Sequence, residues 1–530
     1  MENYDVVLCV VLGGDLVRST EHLGVSYIAS YLREKGVKIR IVEIIDAEDS
    51  EKLDVIQFSK AKLIGFSVTV KNVMPAIEIA KRLKQKSKNS IHITAGGHMA
   101  SFAAETMLYT GYFDSVSLGE GEITIWELWE SLKYNTDWRK IDGLAYIDET
   151  QRIRYNKKRK VNMDLDQFPF PVRDQYENHK KDMQYLRICT SRGCYGTCAF
   201  CSAHTFYDKP AWRGRSPENV IDEIKFLVNK YNVHTFDFID STFEDPPLTG
   251  KERISNIAKR LIEENLQIYY NCCFRAENWS EADKTILDLL SKSGLEKVNI
   301  GFEGGNQHCL KLLNKIATIT DNERVIKLLR DYPEIYLTFG FLSFHPLITL
   351  EDLKDNIDFL YNTGIGQVSR HYFWKLEIYP GTKILRDIQD AGLIDGEYNP
   401  INGMYGYNFA DRMVGKIDHQ CRKFLELNSV WDYEIFDIVM HTFIWRPLRK
   451  NPGQKDLVSL LHYVEESRKR IAKYNHDLMY RMINGVSESQ LEKEVIQLDR
   501  LLLTEMNVLE TKKLQCGKKL IRQGIEIPRR

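Results

Sequence analysis

The sequence predicts an α/β protein with an N-terminal doubly wound parallel sheet, a central partial barrel of six strand–helix units and a helical C-terminal domain. Three observations predict this order. Strand-sized apolar runs alternate with helical patterns at short intervals over residues 1–135, and they alternate again at a longer step over residues 184–395. Residues 396–530 repeat apolar side chains at helical spacing only.

The first region is predicted to form a sheet whose ligand lies at the carboxyl ends of its strands. Strands are expected at residues 5–12, 38–44, 61–68, 90–94 and 114–118, and helices at 23–34 and 73–85. Glycine-rich turns, which let a ligand approach the backbone, are found at residues 13–15, 96–98 and 119–122. None of these turns has the GxGxxG spacing of dinucleotide-binding domains.

Residues 136–183 are predicted to form a connector. Residues 143–146 and 152–155 alternate like the strands of a short hairpin, and Pro169 and Pro171 stiffen the passage that follows. We therefore expect this segment to link the first sheet to the second strand–helix region.

The region 184–395 is predicted to form an open partial barrel, because six strand–helix units are too few for a complete eight-stranded one. Strands are expected near residues 186–190, 234–240, 267–275, 297–303, 334–344 and 367–379. One helix should begin at Ser216-Pro217, with serine as the N-cap and proline at the first helical position.

The last region, 396–530, is predicted to be helical, with apolar spacing most regular over residues 457–478 and 491–514. Its only cysteines are Cys421 and Cys516, too few to ligate additional metal clusters. It matches nothing that we can name, and we expect it to determine the substrate.

Composition limits the partners and the compartment. The chain has 73 lysines and arginines against 74 acidic residues, so it carries no basic footprint for nucleic acid. No apolar run approaches about 18 residues, and no transmembrane segment is expected. Ten cysteines in 530 residues and a charged start without a secretory signal indicate reduced thiols and a cytoplasmic location.

Three cysteines, Cys194, Cys198 and Cys201, are the most informative residues of the chain. Their CxxxCxxC spacing lets three thiolates reach one [4Fe–4S] cluster from a single loop, which leaves the fourth iron open to a substrate or cofactor. A zinc site with His204 as a fourth ligand is the alternative. A second alternative is an iron–sulfur protein that acts only as an electron carrier or redox sensor.

The cysteine spacing and its surroundings resemble radical S-adenosylmethionine (SAM) enzymes, in which the methionine part of SAM fills the open iron position. Residues 212–220, 239–243 and 300–305 follow in the order of that family. The resemblance implies that Phe200 flanks the adenine, that Asp240 meets the methionine amino group and that Glu303 contacts SAM. Arg275, at the end of the third strand, is a candidate to bind a SAM carboxylate or a substrate anion.

The first region resembles the cobalamin-binding domain that precedes many radical SAM domains. The similarity lies in residues 20–36, Ser67-Val68-Thr69, residues 95–98 and residues 118–122. It implies cobalamin contacts from these residues: Ser67, Thr69, Gly96, Gly97, Gly119 and Gly121. The DxHxxG motif, whose histidine would bind cobalt, is missing, and His22 is interpreted as a helix-start residue.

Both resemblances together imply an enzyme that cleaves SAM reductively to a 5′-deoxyadenosyl radical and uses cobalamin to methylate an unactivated carbon of a small molecule or peptide. The alternative is a radical reaction without methylation, such as a dehydration, epimerisation, cyclisation or rearrangement, with an empty or structural first domain. An external electron donor of the flavodoxin or ferredoxin type is implied. The residues that act on the substrate are not identified.

Overall fold

The computed structural model describes residues 3–12, 20–45, 52, 54, 56, 61–87, 90–207, 211–430 and 433–527. The turn predicted at residues 13–15 and the side chain of His204 lie outside this description. The chain divides into two compact units. The first consists of Met1–Ile268, Ile378–Leu385 and Asp395–Gly406, and the second of Tyr269–Glu377, Arg386–Ile394 and Tyr407–Arg530.

The first unit opens with a seven-stranded sheet in the order β2-β1-β3-β4-β5-β6-β7. Its strands are β1 (Val6–Val11), β2 (Ile39–Ile44), β3 (Leu63–Ser67), β4 (His92–Gly96), β5 (Ser115–Ser117), β6 (Leu144–Ile147) and β7 (Ile153–Tyr155). The first five are parallel, and their order 2-1-3-4-5 is that of a doubly wound fold with its ligand at the carboxyl ends of the strands. All five predicted strands form, and β4 extends two residues beyond its predicted end.

Helices cover both faces of this sheet. They are α1 (Leu23–Glu34), α2 (Val73–Ser87), α3 (His98–Phe102), α4 (Ala104–Leu108) and α5 (Glu122–Tyr134). Alternate residues of β1 enter two separate cores, since Leu8 packs with α1 and α5 whereas Cys9 packs with α2 and α4. A strand buried on both faces explains the uninterrupted apolar run at the start of the chain.

The hairpin predicted in the connector forms, and it belongs to the first sheet. β6 pairs antiparallel with β5, and β7 pairs antiparallel with β6. The sheet therefore continues to Tyr155, beyond the predicted boundary at residue 135.

The rest of the first unit carries the cysteine loop. Strands β8 (Leu186–Ile188) and β11 (Thr235–Phe238) pair in parallel, and β9 (Ser191–Arg192) and β10 (Arg213–Gly214) form a short antiparallel ribbon on either side of the loop. The helices are α6 (Asp174–His179), α7 (Ala203–Phe206), α8 (Pro217–Tyr231) and α9 (Glu252–Glu263). Ser216 caps α8 through a hydrogen bond from the Asn219 amide, as the sequence predicts.

The second unit contains three parallel strands, β12 (Tyr269–Phe274), β13 (Leu295–Glu303) and β14 (Tyr336–Phe341). Its helices up to this point are α10 (Lys284–Lys292), α11 (Gln307–Leu312), α12 (Ile319–Leu329), α13 (Leu350–Asn362) and α14 (Ser369–Phe373). The sixth strand predicted at residues 367–379 is wrong. α14 occupies its first half, and its second half holds two isolated bridges, one between Phe344 and Lys375 and one between Ile378 and Tyr405.

Helices make up most of the C-terminal region, as predicted. After α15 (Lys383–Asp390) and the hairpin of β15 (Ile394–Asn399) and β16 (Met404–Tyr407) come α16 (Arg412–Leu427), α17 (Tyr433–Lys450), α18 (Lys455–Ile483) and α19 (Glu488–Arg522). Leu457, Leu460 and Leu520 are among the residues of its apolar core. In the described part of the chain, no helix is long and apolar enough to cross a membrane.

Candidate active site

The cysteine loop follows the ribbon strand β9 and presents three thiols. Cys194 and Cys198 are buried, Cys201 is half-buried, and all three are free of disulfides. The Gly196 amide donates to Cys194 Sγ at 3.3 Å, and the Ala203 amide donates to Cys201 Sγ at 3.4 Å. Hydrogen bonds to sulfur stabilise thiolates and help to set the reduction potential of an iron–sulfur cluster.

A glycine at the start of the loop allows its close packing. Gly193 has φ +78°, and a Cβ atom at this position would lie 2.1 Å from the Ala211 carbonyl oxygen. No other residue type fits that backbone contact. Further along, the Ile384 amide donates to the Ala199 carbonyl at 2.9 Å, so the loop is held at both ends.

The binding of one [4Fe–4S] cluster by the three thiols stays a prediction. Within the described residues, no three His, Cys, Asp or Glu side chains are grouped so that they could hold one ion. In a cubane each thiolate binds a different iron, so the three sulfurs need not meet at one point. The zinc alternative needs such convergence, and it also needs His204, whose side chain is not described.

Asp240 lies two residues beyond β11 and holds the segment that leads into the cysteine loop. Its carboxylate accepts hydrogen bonds from the Thr190 amide at 2.7 Å, the Ser191 amide at 2.6 Å and the Thr190 hydroxyl at 2.6 Å. Burial raises the pKa of Asp240 to about 6, although these bonds and the charge of Arg253 oppose the rise. The SAM contact of Asp240 stays a prediction, since both oxygens are already bonded within the protein.

Phe200 and the two remaining predicted SAM residues lie in different units. Phe200 is half-buried in the cysteine loop of the first unit, whereas Arg275 and Glu303 follow β12 and end β13 in the second. Arg275 donates from Nε to Glu277 Oε1 at 2.6 Å. Burial raises the pKa of Glu303, and the positive charges of Lys315 and Arg275 moderate the effect.

Glu303 is held in an uncommon conformation beside two glycines. Its φ is +66°, a left-handed value that costs a glutamate about 1 kcal/mol or more. A Cβ atom on Gly301 would lie 2.4 Å from its Oε1, and one on Gly340 would lie 3.2 Å away. Because Gly301 and Gly340 are paired across β13 and β14, they leave a space in the strands that the carboxylate occupies.

The predicted cobalamin contacts Ser67 and Gly96 lie side by side at the carboxyl ends of adjacent strands of the first sheet. Ser67 pairs with Val10 on one side and with Gly96 on the other, and Ala95 pairs with Val116, which sets Gly96 beside Ser117. The Ser117 hydroxyl is buried, and no described residue forms a hydrogen bond with it. A buried orphan hydroxyl is costly unless a ligand satisfies it.

Sequence analysis missed Ser117, although a small polar residue at the end of a buried strand was a usable signal. It also missed Asn72, which organises the turn after β3. The Asn72 side-chain amide donates to the carbonyls of Val11 at 2.9 Å and Ser67 at 3.1 Å, and its oxygen accepts from the Thr69 amide at 2.7 Å. The spacing Thr69-x-x-Asn72, typical of a capping box, marks this arrangement.

The four glycines predicted to contact cobalamin divide into two pairs. Gly97 has φ +97°, and a Cβ there would lie 2.9 Å from the Val68 carbonyl, while a Cβ on Gly121 would lie 2.8 Å from Ile28 Cδ1. The backbone contact therefore requires a glycine at position 97, whereas a side chain at position 121 would only displace the end of the Ile28 side chain. Gly119 has open space around its Cα, and Gly96 meets only ordinary contacts with Ser117. Open backbone and an orphan hydroxyl at the strand ends fit a corrin with a nucleotide tail.

The turn after β5 reaches the ribbon around the cysteine loop. Glu120 accepts from both terminal nitrogens of Arg213, and it also pairs with Arg192 at 3.2 Å. Arg192 pairs in turn with Glu122 at 2.8 Å. Burial alone would raise the pKa of Glu120, but the hydrogen bond from Arg213 and the charge of Arg192 hold it below its ordinary value.

A cavity of about 280 Å³ lies between this turn and the end of the cysteine loop. Ser101, Phe102 and Gly119 line it on the sheet side, and Phe206 and Tyr207, just after the cysteines, line it on the other. His98 does not line the cavity, but its ring stacks on the ring of Phe206 with centroids 4.4 Å apart. The predicted cobalamin turn at residues 119–122 and the residues that follow the predicted cluster loop thus border one space.

Two protein families match the chain. The Radical SAM superfamily matches residues 188–360, and the B12 binding domain matches residues 9–128. These are the regions in which the cysteine loop and the first sheet lie.

Two relatives and one solved structure are similar over long stretches. An uncharacterized methyltransferase of Pyrococcus horikoshii is 28% identical over 370 residues, 68% of this chain and 77% of its own. The 4′-phospho-dehydrooxetanocin synthase of Priestia megaterium is 25% identical over 580 residues, 97% of this chain and 75% of its own. The structure of the cobalamin-dependent radical enzyme OxsB with aqua-cobalamin and SAM bound has a TM-score of 0.72 at 22% identity, covers 99% of this chain and 82% of its own, and shows a common fold.

Proposed function

We propose that this chain, which belongs to the radical SAM enzymes with an N-terminal cobalamin-binding domain, methylates an unactivated carbon of a small molecule or peptide. When bound, the cluster and SAM supply a 5′-deoxyadenosyl radical that removes a hydrogen atom from carbon, and cobalamin supplies the methyl group. The Pyrococcus horikoshii relative is named a methyltransferase, and this supports methylation as the reaction.

One observation carries the proposal: the cavity lined on one side by the predicted cobalamin turn at Gly119 and on the other by Phe206 and Tyr207, which follow the predicted cluster loop. A substrate that loses hydrogen to one cofactor and gains methyl from another must lie within reach of both. Gly119 on one wall and Phe206 on the other support this placement of the substrate. Apolar side chains around the cavity keep water from a reactive carbon radical.

The residues have these proposed roles. Cys194, Cys198 and Cys201 hold the cluster, and Gly193 and Asp240 keep their loop in place. Phe200 flanks the adenine of SAM, and Arg275 and Glu303 bind its charged groups. Ser67, Thr69, Gly96, Gly97, Gly119 and Gly121 surround cobalamin, with Ser117 as an added hydrogen-bonding partner.

A second candidate is a radical rearrangement without methyl transfer. It is favoured by the relative that spans nearly the whole chain, since that protein is named a synthase and not a methyltransferase. In this case cobalamin would act beside the radical without donating carbon, or the first domain would be structural. The two candidates differ in the fate of SAM.

The proposal includes a partner and a location. Reductive cleavage of SAM needs one low-potential electron, and we propose that a flavodoxin- or ferredoxin-type protein supplies it. We propose a cytoplasmic location because thiolate-bound clusters need reducing surroundings.

The test is a product analysis on anaerobically reconstituted protein. After hydroxocobalamin loading and removal of excess, the spectrum should retain corrin absorbance. With SAM and titanium(III) citrate, methyl transfer predicts both 5′-deoxyadenosine and S-adenosylhomocysteine. 5′-Deoxyadenosine alone would favour the second candidate, and the absence of both products would contradict each of them.

A further inference from the structure

Helix α19 is 35 residues long and has apolar side chains on two faces. One face packs against α16, α17 and α18, and its buried residues include Leu498 and Leu509. Four apolar side chains on the other face are between 47% and 65% exposed. They form what we call the exposed stripe, which consists of Ile496, Leu503, Leu514 and Ile521.

The four side chains of the exposed stripe are aligned along the helix. They are separated by 7, 11 and 7 residues, and at 100° per residue each separation returns to within about 20° of the same direction. From residue 496 to residue 521 the stripe extends over nearly seven turns, or about 37 Å. Single exposed apolar residues are ordinary on a protein surface, but an aligned set on a helix that is already packed on its opposite face indicates a further partner.

Charged residues border the exposed stripe, and its two edges have opposite signs. Residues four positions before or three after a stripe residue lie along one edge, and residues three before or four after lie along the other. The charged residues at these positions are Glu492, Asp499 and Glu510 on the first edge, and Lys493, Arg500 and Lys518 on the second. The exposed stripe therefore has an acidic edge and a basic edge.

The second unit already holds part of the acidic edge in position. The basic edge and Glu492 are exposed, whereas Asp499 and Glu510 are half-buried. Asp499 accepts a hydrogen bond from the Ser429 hydroxyl at 2.7 Å, and Glu510 pairs with Lys513 at 2.9 Å. Side chains that are ordered beforehand lose less conformational entropy when a partner binds.

We propose that this face of α19 binds the same face of a second copy of the chain, with the two helices parallel. When a two-fold axis relates two parallel helices, the acidic edge of each lies against the basic edge of the other. In an antiparallel pair, acidic edges would face each other, and so would basic edges. Charge complementarity therefore supports both the occupant and its orientation.

A membrane surface is the other occupant that an exposed apolar stripe could have. Helices that bind membrane surfaces carry lysines and arginines on the polar face, which attract anionic lipids. Three acids along one edge of the exposed stripe oppose such attraction. The border of the stripe is thus better matched by its own copy.

Sedimentation velocity of the full chain, loaded with cofactors and kept anaerobic, tests the proposal. Because one helix face makes a small interface, we expect a reversible dimer with a dissociation constant of roughly 10 µM. Leu503→Lys should raise this constant about tenfold or more, since it places a charge in the centre of the interface. The matched control is Val458→Lys on α18, because Val458 has the same 47% exposure as Leu503 and lies outside the stripe.

The control variant should change the dissociation constant less than about twofold. Urea unfolding and iron content should be the same in both variants, because both replaced side chains are exposed. The readout is association and not activity, so a failure of the proposed function leaves this test intact.

Charge-reversal variants test the two edges. Arg500→Glu with Lys518→Glu makes the basic edge acidic, and Glu492→Lys with Glu510→Lys makes most of the acidic edge basic. Each double variant alone should dimerise about tenfold more weakly than the wild-type protein, and added salt should reduce this difference. A mixture of the two should form a heterodimer, which native mass spectrometry detects.

A photoreactive side chain tests the orientation. Leu503→p-benzoylphenylalanine, mixed with ¹⁵N-labelled wild-type protein, should cross-link to the partner near its position 503 in a parallel pair. In an antiparallel pair centred on the stripe, position 503 lies opposite position 514. Mass spectrometry of the cross-linked peptides separates the two arrangements.

The inference is overturned if the protein is monomeric at concentrations about tenfold above the expected dissociation constant. Equal effects of Leu503→Lys and Val458→Lys, cross-links near position 514, or a mixture of double variants that forms no heterodimer would also overturn it. A further contrary result is flotation of the monomer with phosphatidylcholine–phosphatidylglycerol vesicles that Leu503→Lys abolishes. The exposed stripe would then be a membrane-binding face.

Discussion

Glu120 accepts hydrogen bonds from both terminal nitrogens of Arg213, at 2.8 and 3.1 Å, and so ties the turn after β5 to the ribbon beside the cysteine loop. The two residues are 93 positions apart in the chain. A forked arginine–carboxylate pair fixes orientation as well as distance. The turn of the cobalamin-binding domain thereby helps to position the loop that carries the cluster.

Glu120→Gln should therefore weaken both the fold and the cluster site. Without the Glu120 charge, the buried positive charges of Arg192 and Arg213 are only partly neutralised. We therefore expect the free energy of unfolding to fall by about 2–3 kcal/mol. Urea unfolding, iron content and the EPR spectrum of the reduced cluster measure the effect. Glu127→Gln, on the helix α5 that follows the turn and half-exposed, should cost less than about 1 kcal/mol and leave iron unchanged. Equal behaviour of both variants would contradict the role of Glu120.

Asp240 variants separate a positioning role from a SAM contact. Asp240→Asn keeps an oxygen for the two amides and offers an amino group to the Thr190 hydroxyl, so the loop should keep its cluster. Asp240→Ala leaves two buried amides unpaired and should cost about 2–4 kcal/mol with loss of iron. If Asp240→Asn retains iron but binds SAM tenfold more weakly, Asp240 also contacts SAM. Loss of iron in Asp240→Asn would argue against this account.

Burial of Asp240 also predicts a pH dependence. Its folded pKa of about 6 lies above the ordinary value of about 3.9, so the folded state holds the proton more tightly. The contribution of this group to stability is therefore fully present below about pH 4 and is lost as the pH rises through 6, by about 3 kcal/mol in total. Between pH 5 and 7, the wild-type protein should lose stability relative to Asp240→Asn in urea titrations. Parallel pH profiles would exclude the effect.

Glu303 should show a conflict between stability and function. Its left-handed backbone suits glycine, so Glu303→Gly should leave the melting temperature unchanged or raise it, through relief of about 1 kcal/mol of strain. The same variant, and Glu303→Gln, should bind SAM at least tenfold more weakly by calorimetry. Iron content serves as the control and should not change. If Glu303→Gly binds SAM with full affinity, the Glu303 carboxylate does not contact SAM.

Ser117 and Ser115 of β5 form a matched pair with opposite expectations. Ser117→Ala removes an orphan hydroxyl, so stability should hold while cobalamin affinity falls about threefold to tenfold. Ser115 is bonded to Thr94 and His92, so Ser115→Ala should cost about 1–2 kcal/mol and leave cobalamin affinity intact. Corrin absorbance retained after gel filtration, together with urea unfolding, measures both. The reverse pattern would show that Ser117 is structural.

Features that depend on short-range patterns could be predicted from the sequence alone. The cysteine spacing lies within eight residues, the Ser216 cap within four, and strand and helix periods within a dozen, so each can be recognised without knowledge of the fold. Strands β1 to β5 and helix α1 were predicted for this reason. The two family resemblances rest on the same kind of local motif.

Contacts between side chains that lie far apart in the sequence could not be predicted, because they depend on how the whole chain packs. The segment 367–379 has a strand-like composition but forms α14, where Ser369 bonds Asn475, Arg370 pairs with Glu434 and Arg422 bonds the Phe373 carbonyl. Such long-range contacts override local preference, since that preference is worth only about 1 kcal/mol. The partners of Glu120 and the cavity beside it likewise follow from chain packing, which leaves no periodic signal in the sequence.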